Sequence, residues 1–380
     1  MRTVFATRLG FWSAVAGLLY AHAGYTAVLA LIRRTRPRER AEAPADANGA
    51  PTVSLIVAAH NEAGVIAAKV GNALGLDYPR DRLEIVVVCD GCTDATAQEA
   101  RAAGADLVIE LPRGGKVPAQ DAAVERTTAE VLAFSDANAM WEPGALRSLV
   151  RALSDADVAY ACGQVRFVDD GGTNQEGLYW RYEMLIRQLE SDTASITAGN
   201  GAIYAVKRSR YLRLDPLTSH DLSLPFNLVK RGHRAVYVPE ARATERMVPT
   251  VEGEFRRKRR MMAHAWPTVA KGGLLSPRGY DATYGLMVWS HRGLRYATPL
   301  LHAVAFGSNV LLARSSRLYR AALALQLALG LAAVLGGSLH LRPLLVARYY
   351  VLTTLAIAAG AWDWLRHGTD PTWESAEGTR

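Results

Sequence analysis

Long apolar stretches occupy both ends of the chain, and between them short apolar runs recur at intervals separated by helix-patterned polar segments. Residues 9–32 carry no formal charge and are long enough to cross a bilayer as a helix. They stop at Arg33, Arg34, Arg36 and Arg38, the pattern of a retained span that meets the cytoplasm. A cleaved secretory signal is the rival reading, since Arg2 and Arg8 precede the run and Ala21–His22–Ala23 resembles a cleavage site. The continuation to Ile32 favours the anchor. Toward the other end, 297–313, 318–339 and 343–365 are apolar, and the latter two are long enough to span. The first is at the short limit and is followed by Arg314, Arg317 and Arg320. It either spans or lies in the interface, which leaves the side of the C-terminus open.

From residue 53 the pattern switches to alternating strands and helices. Apolar runs at 53–59, 83–89, 106–111 and 130–135 predict strands, and 62–76, 93–103 and 119–128 have helical spacing. Such alternation predicts an α/β domain with a mostly parallel sheet covered by helices. Ligands of such sheets bind beyond the carboxyl ends of the strands, and Asn61, Glu62, Asp90, Asp94, Asp136 and Asn138 all fall there. No GxGxxG follows the first strand and no GxxxxGK[ST] occurs, which argues against a dinucleotide fold and a P-loop NTPase. Gly114–Gly115–Lys116 is a short turn with a lysine, suited to a phosphate or to a plain surface turn. Asp136 and Asn138 offer two oxygens that suit Mg²⁺ or Mn²⁺ when diphosphate oxygens and water complete the shell. A turn bonded to its own backbone is the alternative. Asp221, ahead of the apolar-rich 222–230, reads as a helix cap or as a functional acid.

Half of the 380 residues are apolar, and the excess sits at the two ends, as membrane spans require. The net charge is +8, but the basic residues cluster at 33–38 and 256–260. The first cluster abuts an apolar span and is a topology signal, so no nucleic-acid partner is expected. Three cysteines cannot build a disulfide framework, and the Cys89–Cys92 pair has no second pair to complete a zinc site.

Taken in order, the motifs resemble glycosyltransferase family 2, the GT-A-fold group that includes cellulose, chitin and hyaluronan synthases. The resemblance covers about residues 52–270. It begins with VSLIVAAHNE at 53–62 and VVVCDGCTDAT at 86–96, where Cys92 replaces the family's serine. Asp136–Ala137–Asn138 stands at the D-x-D position, with asparagine keeping an oxygen but losing a charge. Ser219–His220–Asp221 stands at the T-E-D position, followed by the family's glycine, strand and proline at 232–239. Residues 257–261 are a degenerate counterpart of Gln-x-x-Arg-Trp that keeps only Arg260, and 197–201 resembles the acceptor-side segment.

The resemblance implies a membrane-bound, metal-dependent, inverting glycosyltransferase that moves a sugar from a nucleotide-sugar, with UDP-sugars the expected donors, to a glycan or lipid-linked acceptor. Asp221 is then the catalytic base. Asn61, Glu62, Asp90, Lys116 and Asp136 face the nucleotide-sugar, with Asp90 on the base and ribose. Asp136 and Asn138 hold Mg²⁺ or Mn²⁺, Arg257 and Arg260 face the diphosphate, and Gly199, Asn200 and Gly201 line the acceptor side. The expected organisation is an anchor at 9–32, a basic linker at 33–51, the catalytic domain at 52–270, an interfacial segment at 271–296, a membrane region at 297–365 and a tail at 366–380. This makes a multi-pass protein of the inner (plasma) membrane, in contact with membrane lipids, whose catalytic domain is cytoplasmic. A transferase placing one sugar on a polyprenyl phosphate, or a silent nucleotide-binding scaffold, are the alternatives.

Overall fold

The computed structural model describes residues 2–35, 49–168, 176–246, 250–339 and 341–369. Most of the expected basic linker, with Arg36 and Arg38, and nearly all of the tail lie outside the described residues. Eight strands form one sheet in the order β3-β2-β1-β4-β7-β6-β8-β5. In the first half, β1 (Val53–Ala59), β2 (Leu83–Asp90), β3 (Leu107–Leu111) and β4 (Val131–Asp136) pair in parallel, as the alternation predicts. The second half is mixed. β5 (Met140–Trp141) runs antiparallel to β8 (Arg234–Arg246), β7 (Ile203–Lys207) runs antiparallel to β4 and to β6 (Val158–Val168), and β6 and β8 are parallel.

β1 is buried along its whole length, as an inner strand covered on both faces must be. Leu55 joins Ile85, Ala133 and Leu149 in one core, and Ile56 joins Val86, Phe134 and Tyr160 in another. β1 has β2 on one side and β4 on the other, so a crevice opens beyond its carboxyl end. The register sets Ala58 beside Asp136 and Ala59 beside Cys89, the residue before Asp90. The two acids therefore reach the crevice from opposite sides of β1.

The chain opens with α1 (Arg2–Leu19) and α2 (Tyr25–Thr35), joined by the π-helical turn Tyr20–Gly24 into one 34-residue element. The sheet carries α3 (Ala63–Leu74), α4 (Thr96–Ala102), α5 (Lys116–Glu125), α6 (Ala145–Leu153), α7 (Glu176–Thr193) and α8 (His220–Val229). Then follow α9 (Val251–Ala270), α10 (Ala282–Met287), α11 (Leu294–Leu312), α12 (Arg317–Leu335) and α13 (Arg342–His367). Among the described residues, three helices are long and apolar enough to cross a membrane: Arg2–Thr35, α12 and α13. The open stretch 297–313 is α11, which is not among the three. It runs antiparallel along α1, with Leu301 against Gly17 and Ser308 against Gly10.

The sheet domain and the apolar helices share one core. Leu222 and Phe226 of α8 pack in a cluster with Tyr25 and Leu29 of α2, Ile186 of α7, Tyr284 and Met287 of α10, and Ile357 of α13. The expected interfacial segment thus contains a buried helix. The basic run of α9 is divided by its partners. Arg259 grips Asp363 of α13 with both arms at 2.6 and 2.7 Å, and Lys258 donates to the Tyr349 hydroxyl. These two helices touch at Gly360, where a Cβ would stand 2.6 Å from that of Met262.

β8 is broken at Pro239, since Cys162 pairs with Tyr237 whereas Gln164 pairs with Arg242. A proline is tolerated in a strand at such a bulge. Its carbonyl accepts from Gln164 Nε2 at 3.0 Å and from Arg242 Nε at 3.2 Å. Opposite the bulge, a Cβ on Gly163 would lie 2.2 Å from the Ala241 carbonyl oxygen. Gly163→Ala must therefore push the two strands apart, at a cost of about 1–3 kcal/mol. The thermal midpoint of the detergent-purified variant should fall by several degrees, whereas Gly64→Ala, with open space around it, should not lower it. Equal midpoints for the two variants would contradict the close approach.

Candidate active site

The strand ends build the first wall. Asp90, 1% exposed, closes β2, and its carboxylate accepts from the amides of Gly114 at 2.6 Å and Gly115 at 3.0 Å. Arg113 pairs with it at 3.1 Å. Gly115 has φ 103°, a conformation open to glycine, so the turn folds back onto Asp90 and delivers Lys116 as the first residue of α5. The acid that the resemblance sets on base and ribose thus shapes the glycine turn. Asn61 has φ 51°, unusual for a residue other than glycine, and its Oδ1 accepts the Thr93 amide at 2.8 Å. The backbone amide of the buried Glu62 donates to Thr96 Oγ1 at 2.8 Å. Asn61 and Glu62 thereby tie the end of β1 to the 93–96 loop, next to Asp90. Cys89 and Cys92 are free thiols.

Charges of both signs meet at the end of β4. Lys116 Nζ donates to Asp136 Oδ1. Burial alone would depress the lysine pKa, but Asp136 first, then Asp221 and Glu245, outweigh it and hold the ammonium above its ordinary value. Glu245 is a residue the sequence did not point to. It arrives through the pairing of Met140 with Thr244 and Trp141 with Ala243, directly after the 136–138 turn. Its Oε1 is buried with no hydrogen-bond partner among the described residues, and burial together with Asp136 pushes its carboxyl up to about 7. Lys69, fully buried, donates to the Ala139 carbonyl at 2.5 Å with its ammonium 5.2 Å from the centre of the Trp141 ring. Burial draws its pKa down to about 7 against the pull of Asp136 and Glu245. Lys69 had a legible signal: a lysine in line with Ile66, Val70 and Ala73 on the apolar face of a helix.

Among the described residues, no group of three or more His, Cys, Asp or Glu side chains is placed to hold a metal ion. Asp136, Asn138 and the unpartnered Glu245 oxygen offer a smaller donor set. That suits a cation held by one or two carboxylates with the remaining positions left to substrate phosphates and water. Of the two arginines expected near the diphosphate, Arg257 is gripped by Glu254 at 2.7 and 2.8 Å, and its charge also reaches Glu245. Arg260 lies three residues further along α9 and is part-buried.

The opposite wall is α8 and the segment before β7. The residue at the N-cap of α8 is Ser219, so Asp221 lies inside the first turn and does not cap the helix. Its part-exposed carboxylate has no hydrogen bond or ion pair among the described residues. His220 points the other way, buried, with Nδ1 2.8 Å from the Tyr204 hydroxyl and Nε2 3.3 Å from that of Tyr211. Burial and the nearby Lys116 push it down to about 3, so it is a neutral core histidine. A Cβ on Gly201 would lie 3.7 Å from Lys116 Nζ and 3.9 Å from Asp221 Oδ2, which places this glycine within contact distance of both. Gly199, unlike Gly201, has no room for a side chain, since a Cβ there would stand 1.9 Å from the Tyr160 hydroxyl. The Gly199 amide donates to the Asp221 carbonyl at 2.6 Å, and Asn200 Nδ2 is buried without a partner. Lys116, Asp136, Gly201 and Asp221 are therefore contiguous, with Glu245 beside Asp136 and the Asn61–Glu62–Asp90 wall beyond the glycine turn.

Residues 54–231 match the family model described as glycosyl transferase family 2. Among curated proteins, the chain is 29% identical over 132 residues to the glycosyltransferase AglE of Haloferax volcanii, a match spanning 33% of this chain and 43% of that protein. It is 26% identical over 229 residues to the probable glycosyltransferase YdaM of Bacillus subtilis, spanning 55% and 54% of the two. The chain thus spans about half, or less, of the length of these relatives. In three dimensions it is similar to a mannosyltransferase from Pyrobaculum calidifontis solved in complex with GDP-Man and Mn²⁺, with TM-score 0.71 and 23% identity over 93% of this chain and 98% of that one. Residues 54–231 are a family 2 glycosyltransferase domain, built on a GT-A-like mixed sheet.

Proposed function

We propose that the chain transfers a sugar from a nucleoside diphosphate-sugar to a glycan or lipid-linked acceptor at a membrane surface, with inversion at the anomeric carbon. The observation that carries this reading is the position of Gly201. Within contact distance of it are Lys116, bonded to Asp136, and the carboxylate of Asp221, which has no hydrogen bond or ion pair among the described residues. A direct displacement needs a group for the diphosphate and a base at one anomeric carbon, and this glycine brings a phosphate-binding cation and a carboxylate to one place without a side chain of its own.

Each residue has a role in that scheme. The Asn61–Glu62–Asp90 wall takes the nucleoside, Asp90 acting by fixing the glycine turn as well as by facing the base. Lys116 donates charge-assisted hydrogen bonds to phosphate oxygens. Arg257 and Arg260 add positive charge along α9. Asp136 and Asn138, with Glu245, hold Mg²⁺ or Mn²⁺, which when bound offsets the charge of the departing diphosphate. The mannosyltransferase complex with GDP-Man and Mn²⁺ supports the pairing of a nucleotide-sugar with a divalent ion. Asp221 takes the proton of the acceptor hydroxyl as that oxygen bonds to the anomeric carbon. The bond from that carbon to the phosphate oxygen breaks, and the nucleoside diphosphate leaves with the electron pair. Gly199, Asn200 and Gly201 line the acceptor side.

The membrane enters through α8. Leu222 and Phe226 pack against α2 and α13 from the same helix that bears Asp221, so an acceptor reaching the base comes along the membrane boundary. Arg33 and Arg34 close α2. With the positive-inside bias, they support a catalytic domain on the cytoplasmic face of the inner (plasma) membrane.

Purified protein should release nucleoside diphosphate from one member of a panel comprising GDP-mannose, UDP-glucose and UDP-N-acetylglucosamine, as read by a coupled assay. Asp221→Asn should lower that release about 10²- to 10⁴-fold. Calorimetric donor affinity should stay within about twofold, because the substitution keeps shape and hydrogen bonding. Near-normal turnover would remove Asp221 as the base. Chelation with EDTA should abolish turnover, and Mn²⁺ or Mg²⁺ should restore it; activity indifferent to EDTA would sink the metal role.

A further inference from the structure

The acceptor-side segment is tied to the apolar helices through one buried carboxylate. Glu190 of α7 is fully buried and accepts hydrogen bonds from three separate parts of the chain. The Tyr25 hydroxyl of α2 donates at 2.7 Å. Thr197, the first residue of the acceptor-side segment, approaches with its amide at 2.9 Å and its hydroxyl at 3.1 Å. His291 Nδ1 lies 2.7 Å away, from the π-helical turn Val288–Gly293 that leads into α11. The geometry points to Glu190 as a positioning residue that sets the acceptor-side segment, and with it Asp221, in register with the membrane-facing helices. This inference rests on the reading of Asp221 as the base.

The link to Asp221 is continuous through the backbone. Thr197 is fixed by Glu190, and the Gly199 carbonyl is fixed by Arg187 Nη2 at 3.0 Å, three residues earlier on the same helix. The Gly199 amide then holds the Asp221 carbonyl at 2.6 Å. The segment has no regular ladder of its own, so these bonds hold 197–201 in place and join it to Asp221, whose helix is otherwise held by the His220 contacts and the apolar cluster. A carboxylate is needed at the hub because it only accepts, and both of its oxygens face donors. Burial by itself would raise the Glu190 carboxyl, but His291 foremost, then Arg292 and the Thr197 amide, hold it below its ordinary value. Arg292 also donates to the Thr197 hydroxyl at 3.0 Å, and His291 stands 3.5 Å from a second buried acid, Glu183. Tyr25 lies in the first apolar helix, so tilt or withdrawal of that helix acts on the hub directly.

The test uses the full chain in lipid nanodiscs. Tyr25→Phe removes one hydroxyl far from the chemistry. Glu190→Gln turns a donor toward donors, and His291→Leu removes a partner that His291→Gln partly restores. Hydrogen exchange read by mass spectrometry should show faster exchange at 197–201 in Tyr25→Phe, Glu190→Gln and His291→Leu, with β1 and β2 unchanged. With the donor found by the panel, nucleoside diphosphate release per donor-binding site, the sites being counted by calorimetric stoichiometry, should fall about tenfold or more. Donor KM should hold, and His291→Gln should recover part of the loss. A merely structural role would instead reduce the number of binding sites and leave turnover per site intact. Unchanged exchange and unchanged turnover per site in both Tyr25→Phe and His291→Leu would overturn the inference, and these two decide it if Glu190→Gln does not fold. Asp221→Asn retaining turnover while the exchange coupling is present would reject the base assignment and leave the mechanical link standing.

Discussion

The pairing of Lys116 with Asp136 is the contact around which the crevice is organised. Asp136 opposes the ionisation of the buried Glu245 carboxyl, and like charges in such a place need compensation. Lys116 supplies it directly, while Lys69 from beneath and Arg257 from α9 act on Glu245 through their charge. Under the proposed function this ammonium, bonded to Asp136, faces the donor's diphosphate, and Lys116 can exchange one anionic partner for another. The same lysine lowers the His220 pKa and borders the Gly201 gap, so its charge reaches both walls of the cleft.

That contact exists because of sheet topology. Lys116 begins α5 only where Asp90 has folded the glycine turn back onto β2, and Asp136 ends β4 one strand away across β1. Glu245 needs the bulge at Pro239 and the two-residue pairing of β5 with β8. The second wall comes from α8, whose place is fixed on one side by the Tyr204–His220–Tyr211 contacts and on the other by the apolar cluster shared with α2, α10 and α13.

The legibility of these parts in the sequence follows their range. The parallel half of the sheet was visible to within a few residues because inner strands are continuous apolar runs and the intervening helices have their own period. Asp90, Asp136 and Asn138 were visible because local turns place them at strand ends. Asp221 could be singled out but not assigned from its neighbourhood, since a cap and a functional acid look alike there; the structure removes the cap reading by putting Ser219 at the N-cap. Glu245 left no local trace, because what brings it to Asp136 is a pairing more than a hundred residues apart in the chain. Lys69 did leave one, a charge on an apolar helical face. His220, next to the base in sequence, is an aromatic-core residue in space, which adjacency alone does not disclose.

Glu190 is the least legible of all, and the reason is physical. A buried carboxylate with donors from α2, the 197–201 segment and the turn before α11 has no sequence period and no motif; only the assembled fold brings its partners together. Breaking a buried hub by removing one partner costs far more than its net contribution, because the remaining charge stays uncompensated. Such a group therefore transmits position rather than merely adding stability. An anchor required only for attachment would have no reason to send a tyrosine hydroxyl into the catalytic domain. The bond from Tyr25 to Glu190 instead ties the first apolar helix to the 197–201 segment, the proposed acceptor side of the site.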